Sequence, residues 1–438
     1  MRSEENIERY VAQFRQRQQA GGNNGASWFN PVRDAAMAQF ERLGFPTTRD
    51  EDWKYTNLEP IVSSAFTLAG GPAKLSSHDL LARTFADVTA PRIVFVDGFY
   101  APDLSALSDL PVGVRVESLA RAVEHRDQVL QAHWERSTSQ TDDSLFALNT
   151  ALTTDGALIK IDRGRRIEQP LQLLFVMSGR QPSTAAYVRN VIICESGSEV
   201  KIVESYSGVA RYLMSAVTEI STSDGAIVDH YRLQRDSSEA FNIGQLNVDV
   251  RRDAHFTAHA LTLGGALIRN DVRVTLNGEG AECALNGLYL LDGKQHVDNH
   301  TEIEHARPQA RSLELYKGIL SGAAHAVFNG KIIVDKDAQK TDARQTNKNL
   351  LLSADAVVNT KPQLEIYADD VKCSHGSTIG RLDPDALFYL RSRGLGADEA
   401  QSVLSYAFAS DVVNRVKIAS MREHLNEYLL QLFGRSAG

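Results

Sequence analysis

The sequence predicts a mainly β chain whose centre is a β-solenoid, with a helical region on either side. Three observations carry this. Apolar residues at helical spacing vanish near Thr153 and return after Arg381. Between these points, short alternating runs such as ALIKI, VKIVES, FTAHALTL and VRVTL read as strands. Turn signals recur through those runs at a fixed interval.

The region before residue 153 reads as mainly helical. Ile7, Val11 and Phe14 recur at helical spacing. The GGNNGAS stretch from Gly21 is a loop by composition. Pro31 opens a second helix that Gly44 closes. A segment dense in charge and aromatics, RDEDWKYTNLEPI, runs from Arg49 to Ile61. A strand, RIVFVDG, follows at Arg92, and helix is expected across Ser118 to Trp134.

The repeat can be tested by alignment. A small residue follows an acidic, glycine or polar pair in SGSEV, SDGAIV, RDAHFT, GEGAEC, RPQARS and KDAQK. These residues are Ser198, Ala226, Ala254, Ala281, Ala310 and Ala338, at intervals of 28, 28, 27, 29 and 28 residues. A second punctuation falls at Gly208, Ser237, Gly264, Gly293 and Gly322. Two interleaved signals at one period mean two strands per repeat, and repeats of that kind bury their apolar faces by stacking. Ala157 and Ala356 break the interval, which predicts irregular coils at both ends. The expected regions are 1–152 helical, 153–380 solenoid and 381–438 helical. The tail holds three helices, the last with Leu425, Leu429 and Leu432 on one stripe. As a module beside the solenoid, it is expected to be dispensable for the solenoid's folding.

Composition excludes several classes. With 47 Lys+Arg against 55 Asp+Glu, the net charge is −8, the wrong sign for a general nucleic-acid binder. No apolar run is long enough to cross a bilayer. The first residues, MRSEENIERYVAQF, lack the apolar core of a secretory signal. Three cysteines, Cys194, Cys283 and Cys373, make no disulfide framework, so a reducing, cytoplasmic setting is expected. Walker A, HExxH and nucleophile-elbow patterns are absent, which favours a non-catalytic scaffold.

Two clusters could carry chemistry. In an extended backbone, Cys373 and His375 of DDVKCSHGSTIG point to one face and could share a metal ion with ligands from elsewhere. A buried cysteine beside a hydrogen-bonded histidine is the alternative. A nucleophile–base pair is disfavoured at this spacing. In HVDNHTEIEH, the residues His296, Asp298, His300 and Glu302 alternate on one strand face. A polar outer face explains that row better than a metal site.

The stretch KPQLEIYADDVKCSHGSTIGRLDPDALFYLRSRGL, from Lys361 to Leu395, resembles the SufB/SufD family of iron–sulfur cluster assembly proteins. KTDARQTNKNLLLS, DNHTEIEH and RDEDWKYTNL fit the same family. CSHG followed by FYLRSRG resembles its SufD side. GGNNGAS and the C-terminal RSAG depart from the pattern at the periphery. The resemblance implies a right-handed β-helix with two long strands per turn. It implies a SufB partner, the ATPase SufC, and a transient nascent iron–sulfur cluster at the interface with SufB. No tightly bound cofactor is expected in the isolated chain, which would form a homodimer. It assigns His375, with Cys373 beside it, to the cluster site. It places the ATPase contact on the C-terminal helices around Phe388, Tyr389, Arg391, Arg393 and Gly394. Competing readings are a stand-alone homodimeric scaffold and a carbohydrate-active β-helix enzyme. The latter is usually secreted, which the sequence opposes.

Overall fold

The structure is a computed structural model that describes residues 2–19, 28–83, 90–137 and 142–434. GGNNGAS and the terminal RSAG lie outside the described residues. Successive strands alternate between two ten-stranded sheets, so the chain winds as a β-solenoid of about 8 turns at a spacing near 29 residues. Pairing within the coils is parallel and in strict register. In the second sheet Ile227, His255, Glu282, Arg311, Asp342 and Lys372 stand in one row.

The corners explain the period. Gly197, Gly225, Asp253, Gly280, Gln309 and Lys340 all have positive φ. Each donates its backbone N–H to the coil above, to Asp224, Arg252, Glu279, Pro308, Gln339 and Asp370 respectively. The residue after each turns inward and is sealed, which is why it is small: Ser198, Ala226, Ala254, Ala281, Ala310 and Thr341. The last of these differs from the sequence alignment, which used Ala338. The turn is longer there, and Arg311 pairs with Asp342, 31 residues on. The C-terminal end is also regular rather than irregular. Ala356 belongs to the other corner, where Val357 N–H bonds the Ala324 carbonyl.

The inner core is apolar at the first corner, with Val200, Val228, Phe256 and Cys283 sealed inside. Polar side chains interrupt it and satisfy one another, as buried groups must. Thr218 and Tyr206 donate to Glu204 at 2.6 and 2.9 Å, and His230 lies 3.2 Å away. Burial would raise the Glu204 pKa, but His230, Arg232 and Thr218 outweigh it and hold it down to about 2.

The N-terminal region is more mixed than helical. Arg92–Val96 pairs with Leu171–Met177, and Val114–Ser118 pairs with Ala157–Ile161, so this region supplies first strands to both sheets. Helices Arg2–Gln19 and Asn30–Leu43 match the expectation, the second ending at Gly44 with φ 68°. The stretch Ser118–Trp134 is two helices, Leu119–Glu124 and Gln128–Ser137, separated at Arg126 with φ 56°. Helix Ser144–Leu152 is buried on every side and packs the region onto Tyr187, Leu213, Phe241 and Ile243.

The tail helices are Pro384–Ser392, Ala397–Val413 and Ala419–Gly434. The last two cover the outer face of the second sheet. Val412, Val413, Met421, Leu425, Leu429 and Phe433 pack on Tyr231, Leu233, Leu288 and Leu290. Phe433, rather than the exposed Leu432, completes the buried stripe. Removing the tail would therefore bare an apolar sheet face, so it is not the detachable module the sequence suggested.

Candidate functional site

The last coil consists of Val357–Ile366, the end strand of one sheet, and Lys372–Gly380, the end strand of the other. Among the described residues neither has a strand on its outer edge. Ser377 Oγ donates to Thr360 Oγ1 at 2.9 Å and ties the two together. Val357, Ile366, Tyr367 and Ile379 are all exposed here. Open strand edges with exposed apolar side chains are templates for pairing with another chain.

Cys373 and His375 both lie on this terminal strand. Cys373 is in register with Ala343, and His375 with Gln345. Ala343 and Gln345 are sealed inside the solenoid, so both terminal residues sit on the inward-facing rows of the last coil. Their surroundings differ. Cys373 is half-buried against the cluster of Ile332, Val334, Ala338 and Ala343. Burial pushes its thiol pKa up and Asp342 adds to this, so it is a protonated thiol in the free chain. His375 is exposed. Among the described residues no group of three or more His, Cys, Asp or Glu is arranged to hold a metal ion. On its own the coil offers an incomplete donor set.

The helix Pro384–Ser392 continues directly from this coil. Asp383 caps it by accepting from the Asp385 N–H. It ends at Arg393 and Gly394, the glycine at φ 96°, where a side chain would be strained. Phe388 is 75% exposed and Tyr389 56%, and the Arg393 guanidinium lies over the Tyr389 ring. Arg391, Arg393 and Gly394 are exposed as well. Two bare aromatics flanked by arginines have the composition of a binding surface.

The row His296, Asp298, His300 and Glu302 does face outward, but Asp298 is only 1% exposed. The segment Glu51–Thr56 lies across it as a strap. Thr56 Oγ1 donates to Asp298 at 2.5 Å, and Arg269 and His300 reach the same carboxylate at 2.6 and 3.0 Å. Arg269 also makes a bidentate pair with Asp271, donates to the Asp52 carbonyl at 2.7 Å, and stacks under Trp53 at 3.9 Å. Burial alone would raise the Asp298 pKa; Arg269, then His300 and Thr56, outweigh it and hold it well below the usual carboxylate range. Lys361 of the last coil pairs with Glu51. The row is thus a docking face for the strap. Beside it is a groove of about 1300 Å³. Charges lining it are paired, Arg273 with Asp143 and Lys331 with Glu302 and Glu365.

Comparison with known proteins fits this geometry. The description "SUF system FeS cluster assembly, SufBD core domain" matches residues 175–408, and "SufBD protein N-terminal region" matches residues 4–173. The iron–sulfur cluster assembly protein SufD of Escherichia coli is 34% identical over 90% of this chain and 91% of its own length. A SufBD-family iron–sulfur cluster assembly protein of Synechocystis sp. is 33% identical over 90% of this chain and 89% of its own. SufD of Bacillus subtilis is 27% identical over 91% and 92%. A stacked solenoid ending in an open coil with a Cys–His pair, matched along nearly its whole length, belongs to the SufBD family of the SUF iron–sulfur cluster assembly system.

Proposed function

We propose that this chain is a SufD-type, non-catalytic scaffold subunit that pairs with SufB through its last coil and there helps to build a nascent iron–sulfur cluster. The cluster is cargo, held transiently. The observation that carries the reading is the incomplete donor set on an open strand edge: His375 is exposed, Cys373 lies two residues away, and a partner coil is needed to complete the set. Imidazole is a borderline ligand suited to iron. The shielded, protonated Cys373 makes His375 the principal donor from this side. The exposed Phe388, Tyr389, Arg391 and Arg393 are the contact for the ATPase SufC. Without SufB, a second copy of this chain takes the open edge and forms a homodimer. Among the described residues no helix is long and apolar enough to cross a membrane, and the reading puts the complex in the cytoplasm.

The test is co-expression with SufB and SufC, purification, anaerobic reconstitution, and iron and sulfide analysis per complex. His375→Ala should leave the complex intact and reduce cluster content at least several-fold. Cys373→Ala should have a smaller effect. Wild-type content in the His375→Ala complex would remove that residue from the site.

A further inference from the structure

His375 does not stand alone in its row. The inward row of the second sheet runs Leu285, Glu314, Gln345, His375 through four successive coils in register. The facing row of the first sheet runs Val272, Thr301, Gly330, Pro362. Each coil therefore contributes one facing pair: Thr301 with Glu314, Gly330 with Gln345, Pro362 with His375. Behind Glu314 the row becomes apolar at Leu285. The polar part is a three-residue stack that opens only at His375.

Its internal bonding is directional. Gln345 is 1% exposed and Glu314 is fully sealed. Gln345 Nε2 donates to Glu314 Oε2 at 2.8 Å. A carboxamide presents its nitrogen and oxygen in different directions, so this bond fixes which end serves the deeper coil. Gln345 Oε1 has no partner among the described residues. A buried carbonyl oxygen left unpaired is costly and calls for a donor. The next residue in the row on the open side is His375. Gly330 makes the arrangement possible: a Cβ there would lie 2.3 Å from Gln345 Nε2. On the same layer as His375, Pro362 offers no backbone N–H to compete for that oxygen.

We propose that Gln345 is the positioning residue of His375, its Oε1 accepting one imidazole N–H so that the other ring nitrogen stays bare and faces the incoming cluster. Glu314 acts one step further back, by holding the amide the right way round. A ligand histidine oriented through its second nitrogen is a general device of metal sites. The inference rests on His375 being a donor, as proposed above, but it can be tested without a cluster.

The experiment uses the full isolated chain labelled with ¹⁵N-histidine, with His375 assigned by comparison with His375→Ala. Long-range ¹⁵N–¹H spectra above pH 8 report which ring nitrogen carries the proton. The wild type should show one dominant tautomer at His375. Gln345→Met, close in volume but without an acceptor, should give a mixture. The exchange variant Gln345→Glu with Glu314→Gln keeps an acceptor beside the ring and a donor behind it, and should restore one tautomer. Urea midpoints check that each variant folds; if Gln345→Met does not, Glu314→Met, which frees the amide to turn over, serves for the same comparison. An unchanged tautomer in the acceptor-free or freed-amide variant overturns the proposal. Cluster content of the SufB–SufC complex is read in parallel and should fall with Gln345→Met and recover in the exchange variant. Wild-type content in His375→Ala instead would sink the ligand reading while leaving the tautomer result to decide the positioning.

Discussion

Arg269 should be one of the most costly single residues to remove from this chain. Its guanidinium is 2% exposed and serves Asp271, Asp298, the Asp52 carbonyl and the Trp53 ring at once. Arg269→Ala leaves Asp298, itself 1% exposed, with only His300 and Thr56 to offset its charge. Breaking a buried pair by removing one partner costs about 3–5 kcal/mol. The lost stacking on Trp53 accounts for roughly 0.5–2 kcal/mol of further loss. Trp53→Leu should therefore cost far less than Arg269→Ala. Arg269→Met with Asp298→Asn removes the charge on both sides and should recover much of the deficit. Guanidinium unfolding followed by circular dichroism measures the stability. Limited proteolysis between Glu51 and Thr56 reports the strap directly, because the strap is held mainly through this arginine. Arg269→Ala with a loss under about 1 kcal/mol and an unchanged cleavage rate would refute the argument; the cited range starts well above that.

Two further predictions concern the core. Tyr289 and Gly318 are register partners, as are Tyr316 and Gly287, so each tyrosine fills space that the glycine leaves. A Cβ on Gly318 would meet Tyr289 Cε2 at 2.0 Å; Gly318→Ala should cost about 1–3 kcal/mol in urea unfolding, and Tyr289→Leu in the same chain should make that substitution nearly neutral. Stability should also fall in acid. Burial holds the imidazole pKa of His259 down to about 3, and of His296 and His305 to about 4, with Lys417 and Arg415 adding to the effect at His259 and His325 at His296. The unfolded chain then binds more protons below the ordinary imidazole pKa. Stability from these groups is full above about pH 6.5 and is lost as pH falls towards 4, by roughly 3 kcal/mol per histidine. Glu314, raised by burial to about 7, acts in the opposite sense, and its contribution is lost as pH rises from about 4.5 through 7. Urea midpoints that stay level from pH 7 to pH 4.5 would contradict the neutral assignment of the three histidines.

Much of the fold was readable because the corners impose local chemistry. A turn with positive φ followed by a sealed position demands Gly, Asp or a polar residue and then Ala or Ser. Gly225 with Ala226 and Asp253 with Ala254 announce it. The pattern failed where the turn lengthened, since Ala338 still carries the signature while Thr341 holds the place. Helix Ser144–Leu152 was missed for a different reason. Buried all round, it has no polar face, and periodicity detects only one-sided burial. The strap was visible as RDEDWKYTNL, but its docking onto Arg269 and Asp298 joins residues more than 200 positions apart, and no local rule links them.

The terminal site shows what a repeat adds to such reading. Cys373 and His375 stood out through alternation alone, which places both on one face. Nothing beside them hints at Gln345 or Glu314, which lie 30 and 61 residues upstream. Parallel register brings them together, because each coil sets the same position of the chain under the last. Once the period is known, the neighbours of any inward residue can be found by stepping back one coil. From His375 that step gives Gln345, and a second gives Glu314. The same steps from Cys373 give Ala343 and then Ser312, with no acceptor in contact with the thiol one coil below. The two candidate ligands are thus supported differently from the same strand: the imidazole has a polar stack behind it, and the thiol has an alanine. That difference, written in the sequence one and two periods upstream, is why His375 rather than Cys373 is the side chain prepared to face a partner.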